Sequence, residues 1–332
     1  MLNAGIGGWT ALNWPWAVWT ILTDTVEATS RPTFKIAPVG VLTDHQTGPD
    51  AKVREKEPRL GNVFCANVFG HYMLAHNVMP LLHQSGTGGP NGPARIIWVS
   101  SVEATLNRLD LNDPQALRSP TPYESSKELT DVLALTADLP STAPWVKSFT
   151  STESTTGEDS EQSSKPQTYL SHPGICSTSI FPLPLILAYA AAAGLWLARM
   201  LGSPWHTLST YLGAHAPVWL ALAPQSDLSA AEDPYRLHDG GRAKWGSSAS
   251  RLGSSSPVST EVEGWGYGGV VGRPVLEEDR ARRRKRGAVD LTREEKERFE
   301  GLGRECWRYM EGLRGKWEGI LDEEERRIGL QE

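Results

Sequence analysis

The chain is short of cysteine, of positive charge and of any long apolar run, and each shortage removes a class of function. Cys65, Cys176 and Cys306 are the three cysteines. They are odd in number, far apart and in no C-x-x-C pair, which indicates neither a disulfide framework nor a zinc site and fits a reducing compartment. Lys and Arg number 33 against 39 Asp and Glu, a formal net charge of −6, which argues against a general nucleic-acid binder. No Asn-x-Ser/Thr acceptor occurs and no basic residue precedes Arg31, so the apolar stretch at 14–22 does not read as a secretory signal. Residues 173–198 carry no Lys, Arg, Asp or Glu, yet their nearly all-apolar part at 183–198 is shorter than the roughly 20 residues of a spanning helix. That apolar segment, 180–201 with its flanks, reads either as a membrane-dipping helix or as a helix buried in the core. No internal repeat is present.

What the chain does have is an apolar share of 39% over 332 residues, enough for a sizeable core. Behind a Gly/Pro-rich loop at 85–93 stands Ile96-Ile97-Trp98-Val99, a run of four large apolar residues that reads as a strand buried on both faces. Such strands belong to parallel sheets covered by helices, so the fold class is α/β, and ligands sit at the carboxyl ends of the strands. Ser101 lies at that end. Tyr123 and Lys127 follow, four residues apart on a helical pattern continued by Leu129, Val132, Leu133 and Thr136, so both point to one face. An ammonium beside a phenol favours the phenolate, and such a pair can exchange a proton with a carbonyl or alcohol oxygen that a serine hydroxyl also holds. A bare Tyr-x-x-x-Lys also arises by composition alone, so the pair decides nothing without its surroundings.

The surroundings come in a fixed order: Asn3-Ala4-Gly5 after a strand end, Asn67 inside a helical run, Ser101, Tyr123 and Lys127, then Pro173-Gly174-Ile175 with Thr178. Over residues 2–222 this order resembles the short-chain dehydrogenase/reductase family. The phrases LNAGIGGW, ALTADLPSTAPWV, YLSHPGICSTSI and ARMLGSPWH are similar, within it, to the fungal 3-keto-steroid reductases of sterol C-4 demethylation. The resemblance implies a Rossmann-like, doubly wound parallel sheet and hydride transfer from NADPH to a sterol 3-ketone. It assigns proton donation to Tyr123, lowering of its pKa and the nicotinamide ribose to Lys127, orientation of the carbonyl to Ser101, and a water in the proton relay to Asn67. Asn3, Ala4, Gly5, Tyr123, Lys127, Pro173, Gly174, Ile175 and Thr178 would line the cofactor. No metal is implied. It also implies a membrane surface as partner, the cytosolic face of the endoplasmic reticulum or lipid droplets as location, and neighbouring enzymes of sterol C-4 demethylation.

The family places a glycine-rich phosphate turn well ahead of its Asn-Ala-Gly, and here that turn begins at Asn3. The first strands, the glycine-rich loop and the residue that selects NAD or NADP are therefore expected to be missing, and Gly5-Ile-Gly7-Gly8 has the wrong spacing to replace them. The chain reads as N-terminally truncated. A non-catalytic fragment that acts as a membrane-complex interaction protein is the rival reading, and a reductase of another lipid ketone is a third.

The remaining segments read as follows. Trp14, Trp16 and Trp19 are packing or membrane-facing surface rather than substrate wall. Residues 64–82 form an amphipathic helix ended by Gly86. Residues 140–166, rich in Ser, Thr, Glu and Asp, form a mobile insertion. The reductase domain spans 1–235, a Gly/Ser/Arg-rich linker 236–290, and a C-terminal amphipathic helix 291–327 opened by a Thr292-x-x-Glu295 capping box.

Overall fold

The run of β-branched and aromatic residues at 95–99 does form the central strand, β1 (Arg95–Val99), and its alternation shows why four apolar residues stand in a row. Ile96 and Trp98 join the larger core with Phe64, Val68, Leu133 and Leu170, whereas Ile97 joins a second core with Tyr169, Leu220, Leu228 and Trp245. Both faces are covered by helices. The computed structural model describes residues 1–44, 57–85, 92–151, 165–177, 185–281, 283–284 and 287–329. Within them the sheet runs β1, β2 (Gln167–His172), β3 (Lys244–Ala249) and β4 (Ser255–Thr260). β1, β2 and β3 are parallel, and Leu2 adds a parallel bridge to Trp98 on the other side of β1. This is the Rossmann-like α/β arrangement that the sequence implies, with one correction: β4 pairs antiparallel to β3.

The larger correction concerns residues 236–290. The segment read as a linker contains β3 and β4, and Ala243, Trp245, Ala249 and Trp265 in it are buried. Its small residues misled the reading: Gly246 admits the His172 ring so closely that a Cβ there would lie 2.2 Å from Nε2. The arginines at 283 and 284 are tied to carboxylates, Arg283 to Glu278 and Asp279 and Arg284 to Glu261 and Asp290. The reading of 140–166 as a mobile insertion is likewise wrong over its first part. Residues Ala143–Thr150 are helical and bury Val146 and Phe149 in the main core, and 152–164 lie outside the described residues.

The helix that carries Tyr123 and Lys127, α1 (Pro122–Thr136), is buried along nearly its whole length, because the C-terminal helix α2 (Arg293–Gly329) lies across it. The capping box is formed: Thr292 Oγ1 accepts from Glu295 N at 3.2 Å and Glu295 Oε2 accepts from Thr292 N at 2.9 Å. Phe299, Cys306, Trp307 and Met310 then enter the main core, and Trp307 Nε1 donates to Leu133 O at 3.2 Å. Far from a separate unit, α2 completes the core under the site. Phe299→Ala is therefore expected to lower the unfolding free energy by about 3–5 kcal/mol, read as a fall in the urea midpoint. An unchanged midpoint would return α2 to the status of an appendage.

In the apolar segment 180–201, residues 180–184 lie outside the described residues and Leu185–Met200 is a helix. Only Ala198 and Arg199 of its described side chains are buried, whereas Leu185, Tyr189, Trp196 and Leu197 are more than half exposed, so it is no core helix. Trp14, Trp16 and Trp19 are exposed on another helix, Trp14–Thr23. Among the described residues no helix is long and apolar enough to cross a membrane.

Candidate active site

Because β1 and β2 are parallel and in register from Arg95↔Gln167 to Val99↔Ser171, both end on the same edge of the sheet. Ser100–Ser101 and Pro173–Gly174 follow those ends, and the Leu2 bridge delivers Asn3 to the same edge. A cavity of about 520 Å³ opens there, within the ~300–1,000 Å³ of small-molecule sites. Asn3, Gly5, Asn67, Ser101, Tyr123, Lys127, Pro173, Gly174 and Ile175 all line it. Ala4 lies exposed between two lining residues, and Thr178 lies outside the described residues.

Pro122 at the first turn of α1 sets its start, so Tyr123 faces the cavity one turn ahead of Lys127. The Ser101 hydroxyl lines the cavity beside the Tyr123 phenol and favours its phenolate. It also accepts from Glu103 N at 3.1 Å. Lys127 Nζ donates to Val99 O at 3.0 Å and lies 5.7 Å from the Tyr123 ring centre. Burial pushes the Lys127 pKa down to about 8, opposed by the nearby Asp131 carboxylate and reinforced by Lys244.

The expected low phenol pKa is not what the unliganded geometry gives. Burial raises the Tyr123 phenol above its ordinary range, and the charges of Glu103 and Glu124 add to it, against the Ser101 hydrogen bond. Tyr123 therefore holds its proton at neutral pH, the state a proton donor needs.

Asn67 sits in a single π-helical turn, Cys65–Phe69, inside the run read as one regular helix. Its side chain staples the Asn-Ala-Gly turn to α1. Oδ1 accepts from Ile6 N at 2.8 Å, and Nδ2 donates to Ile6 O and to Ser126 Oγ, each at 3.0 Å. Both amide protons are thus spent. Gly5 is required by this contact, since a Cβ there would lie 2.6 Å from Asn67 Oδ1.

The Pro173–Gly174 loop is held from beneath by His172, whose ring is fully buried and kept neutral by burial. Gly174 N donates to Nδ1 at 3.1 Å, so Nε2 carries the proton and donates to Thr260 Oγ1 at 2.8 Å. Gly174 has φ +71, and a Cβ there would meet Trp205 O at 2.5 Å. The missing side chain lets the chain's own backbone, Trp205 O and Ser247 O, pack against this loop and fix it at the cavity's rim. The turn at Asn3–Gly5 and this loop form a cradle that fits the nicotinamide end of a dinucleotide.

Sequence reasoning missed several groups. Trp9 packs edge-on to Tyr123 with ring centres 4.8 Å apart. Lys35 lies over Trp9 at 4.0 Å and pairs with Glu103 and with Glu124, the latter at 2.8 Å. No spacing links positions 9, 35, 103 and 124, so no motif could have found them. Burial lifts the Glu103 carboxyl to about 7, opposed by Lys35 and reinforced by Glu124.

The curated proteins that the chain resembles decide the family. It is 62% identical over 328 residues to a 3-keto-steroid reductase of Aspergillus fumigatus, covering 98% of this chain and 72% of that protein. The chain belongs to the 3-keto-steroid reductase family. A 3-keto-steroid reductase of Gibberella zeae is 42% identical over 332 residues, covering 97% of this chain and 67% of the relative. One of Schizosaccharomyces pombe is 31% identical over 266 residues, 79% of this chain and 62% of the relative. No protein-family model and no solved structure matches the chain. As a member of a reductase family it calls for a nicotinamide cofactor, and the cradle of Asn3, Gly5, Pro173 and Gly174 is where this chain has space for one.

The raised Glu103 pKa has a sign that can be checked. Between pH 4.5 and about 7 the folded chain holds this proton more firmly than the unfolded chain does, so the group makes stability fall as pH rises through that window. Glu103→Gln is expected to remove that part of the slope in urea unfolding measured across it. Parallel slopes for the two proteins would place the Glu103 pKa near its ordinary value.

Proposed function

We propose that the chain reduces a sterol 3-ketone to the 3-hydroxyl in sterol biosynthesis, with NADPH as hydride donor. The observation that carries this reading is the convergence of Ser101, Tyr123 and Lys127 on one cavity with the Asn3–Gly5 and Pro173–Gly174 cradle. The bound nicotinamide would supply the hydride to the carbonyl carbon. Ser101 and Tyr123 then hold the carbonyl oxygen, and the Tyr123 hydroxyl gives its proton as the oxygen becomes an alkoxide. The Ser101 hydroxyl and the Lys127 charge steady the phenolate left behind, and with a pKa near 8 Lys127 can pass a proton onward near neutral pH. Asn67 acts by fixing the turn that presents Asn3 and Gly5. A sterol needs an apolar wall, and Trp9, Ile175, Ala214, Pro217 and Val218 supply one.

The reading extends to location. The exposed apolar side chains of Leu185–Met200 and Trp14–Thr23 favour docking on a membrane surface, at the cytosolic face of the endoplasmic reticulum or on lipid droplets, beside other enzymes of sterol C-4 demethylation. A water-insoluble ketone would then enter from the bilayer.

The assay is NADPH oxidation with a panel of sterol 3-ketones set against fatty acyl ketones, and with NADH in place of NADPH. Turnover confined to the sterols with NADPH is expected, and turnover on the acyl ketones alone would overturn the substrate assignment. Tyr123→Phe is expected to cut turnover at least ~100-fold with nucleotide affinity retained, since only the proton donor is lost. Wild-type turnover in that variant would remove Tyr123 from the reaction.

A further inference from the structure

Two lysine ammoniums reach the end of β1, and the reaction as described uses one of them. The second, Lys244, begins β3 and comes from the segment that composition assigned to a linker. Its side chain is 2% exposed, as is that of Asp131, and Nζ lies 2.5 Å from Asp131 Oδ2. The ammonium also donates to Ser101 O at 2.7 Å and approaches Ser100 Oγ at 3.4 Å. All three of its protons are thereby directed, two of them at the serine pair that ends the central strand. A buried ion pair is weak evidence for stability, because two apolar residues of similar volume fill such a site at no greater cost. What apolar residues could not do is grip a backbone carbonyl.

The carbonyl gripped is that of the residue whose hydroxyl lines the cavity beside the Tyr123 phenol. Ser101 leads into a turn in which Ala104 N donates to Ser101 O at 3.4 Å and Glu103 N to Ser101 Oγ at 3.1 Å. Both bonds lie within the turn itself. Lys244 ties it to the sheet.

We propose that Lys244, charged and paired with Asp131, is a positioning residue of the reduction, holding the Ser101 carbonyl and so the Ser101 hydroxyl in place against the substrate oxygen and Tyr123. The proposal rests on the function argued above. It also gives Asp131, one helical turn beyond Lys127, two partners: its carboxylate raises the Lys127 pKa while Lys244 acts in the opposite direction. The other groups whose charge interacts with Lys244 are Arg31 and the neutral His172.

The test is a double-mutant cycle in the full chain. Lys244→Met combined with Asp131→Leu removes the tie without leaving a buried charge alone, and it is made with and without Ser101→Ala. The paired change is expected to lower kcat at least ~10-fold with the NADPH KM moved less than about twofold, and to lower it no further in the Ser101→Ala background. An equal further loss in that background, or no loss at all, overturns the proposal. Wild-type turnover in Ser101→Ala alone would instead overturn the proposed function. Hydrogen exchange of the Glu103 amide needs no turnover: faster exchange in the paired variant supports the tie, and unchanged protection refutes it. Should the paired variant not fold, Asp131→Asn frees the ammonium from its carboxylate. A several-fold kcat loss present only when Ser101 is intact supports the proposal, and its absence overturns it.

Discussion

The parallel register of β1 with β2, extended by the Leu2 bridge to Trp98, is the constraint on which the site depends. Parallel strands end on the same edge, so three stretches far apart in sequence deliver Asn3, Ser101 and Pro173 side by side. A slip of one residue would exchange Ile96 and Trp98 with Ile97 between two buried cores of different shape, which neither core would accept. The chemistry is thus placed by hydrophobic packing some distance beneath it, to which α2 contributes as much as the sheet.

Over that frame lies a layer of buried charge. Lys127 and Lys244 donate to backbone carbonyls at the strand end, Asp131 faces them from α1, and Lys35 holds Glu103 and Glu124 beside Tyr123. The result differs from a simple ammonium–phenol pair. Carboxylates and burial keep Tyr123 protonated, burial brings Lys127 to about 8, and the site rests in the form that donates a proton.

The sequence made some of this legible and hid the rest for physical reasons. The strand at 95–99 announced itself because both its faces are apolar, and the helix at 293–329 because its cap and stripe are local. The strands Lys244–Ala249 and Ser255–Thr260 stayed hidden because they are built of Ser, Gly and Ala with few large apolar residues, and Pro257 speaks against a strand except at an edge, where it stands. The order of Asn67, Ser101, Tyr123 and Lys127 carried the family resemblance. Lys35, Glu103, Glu124, Asp131 and Lys244 carry no pattern, since their meeting is made entirely by the fold. The π-helical turn at Asn67 likewise shows in no local pattern.

The central claim is that one carbonyl oxygen is shared by a serine and a tyrosine at the end of a parallel sheet. A crystal structure of the chain with a sterol 3-ketone and oxidised nicotinamide dinucleotide phosphate tests it most directly. The account predicts the ketone oxygen about 2.6–3.2 Å from both Ser101 Oγ and the Tyr123 hydroxyl, with the nicotinamide against Pro173 and Gly174. A ketone oxygen bound out of reach of both hydroxyls would contradict it.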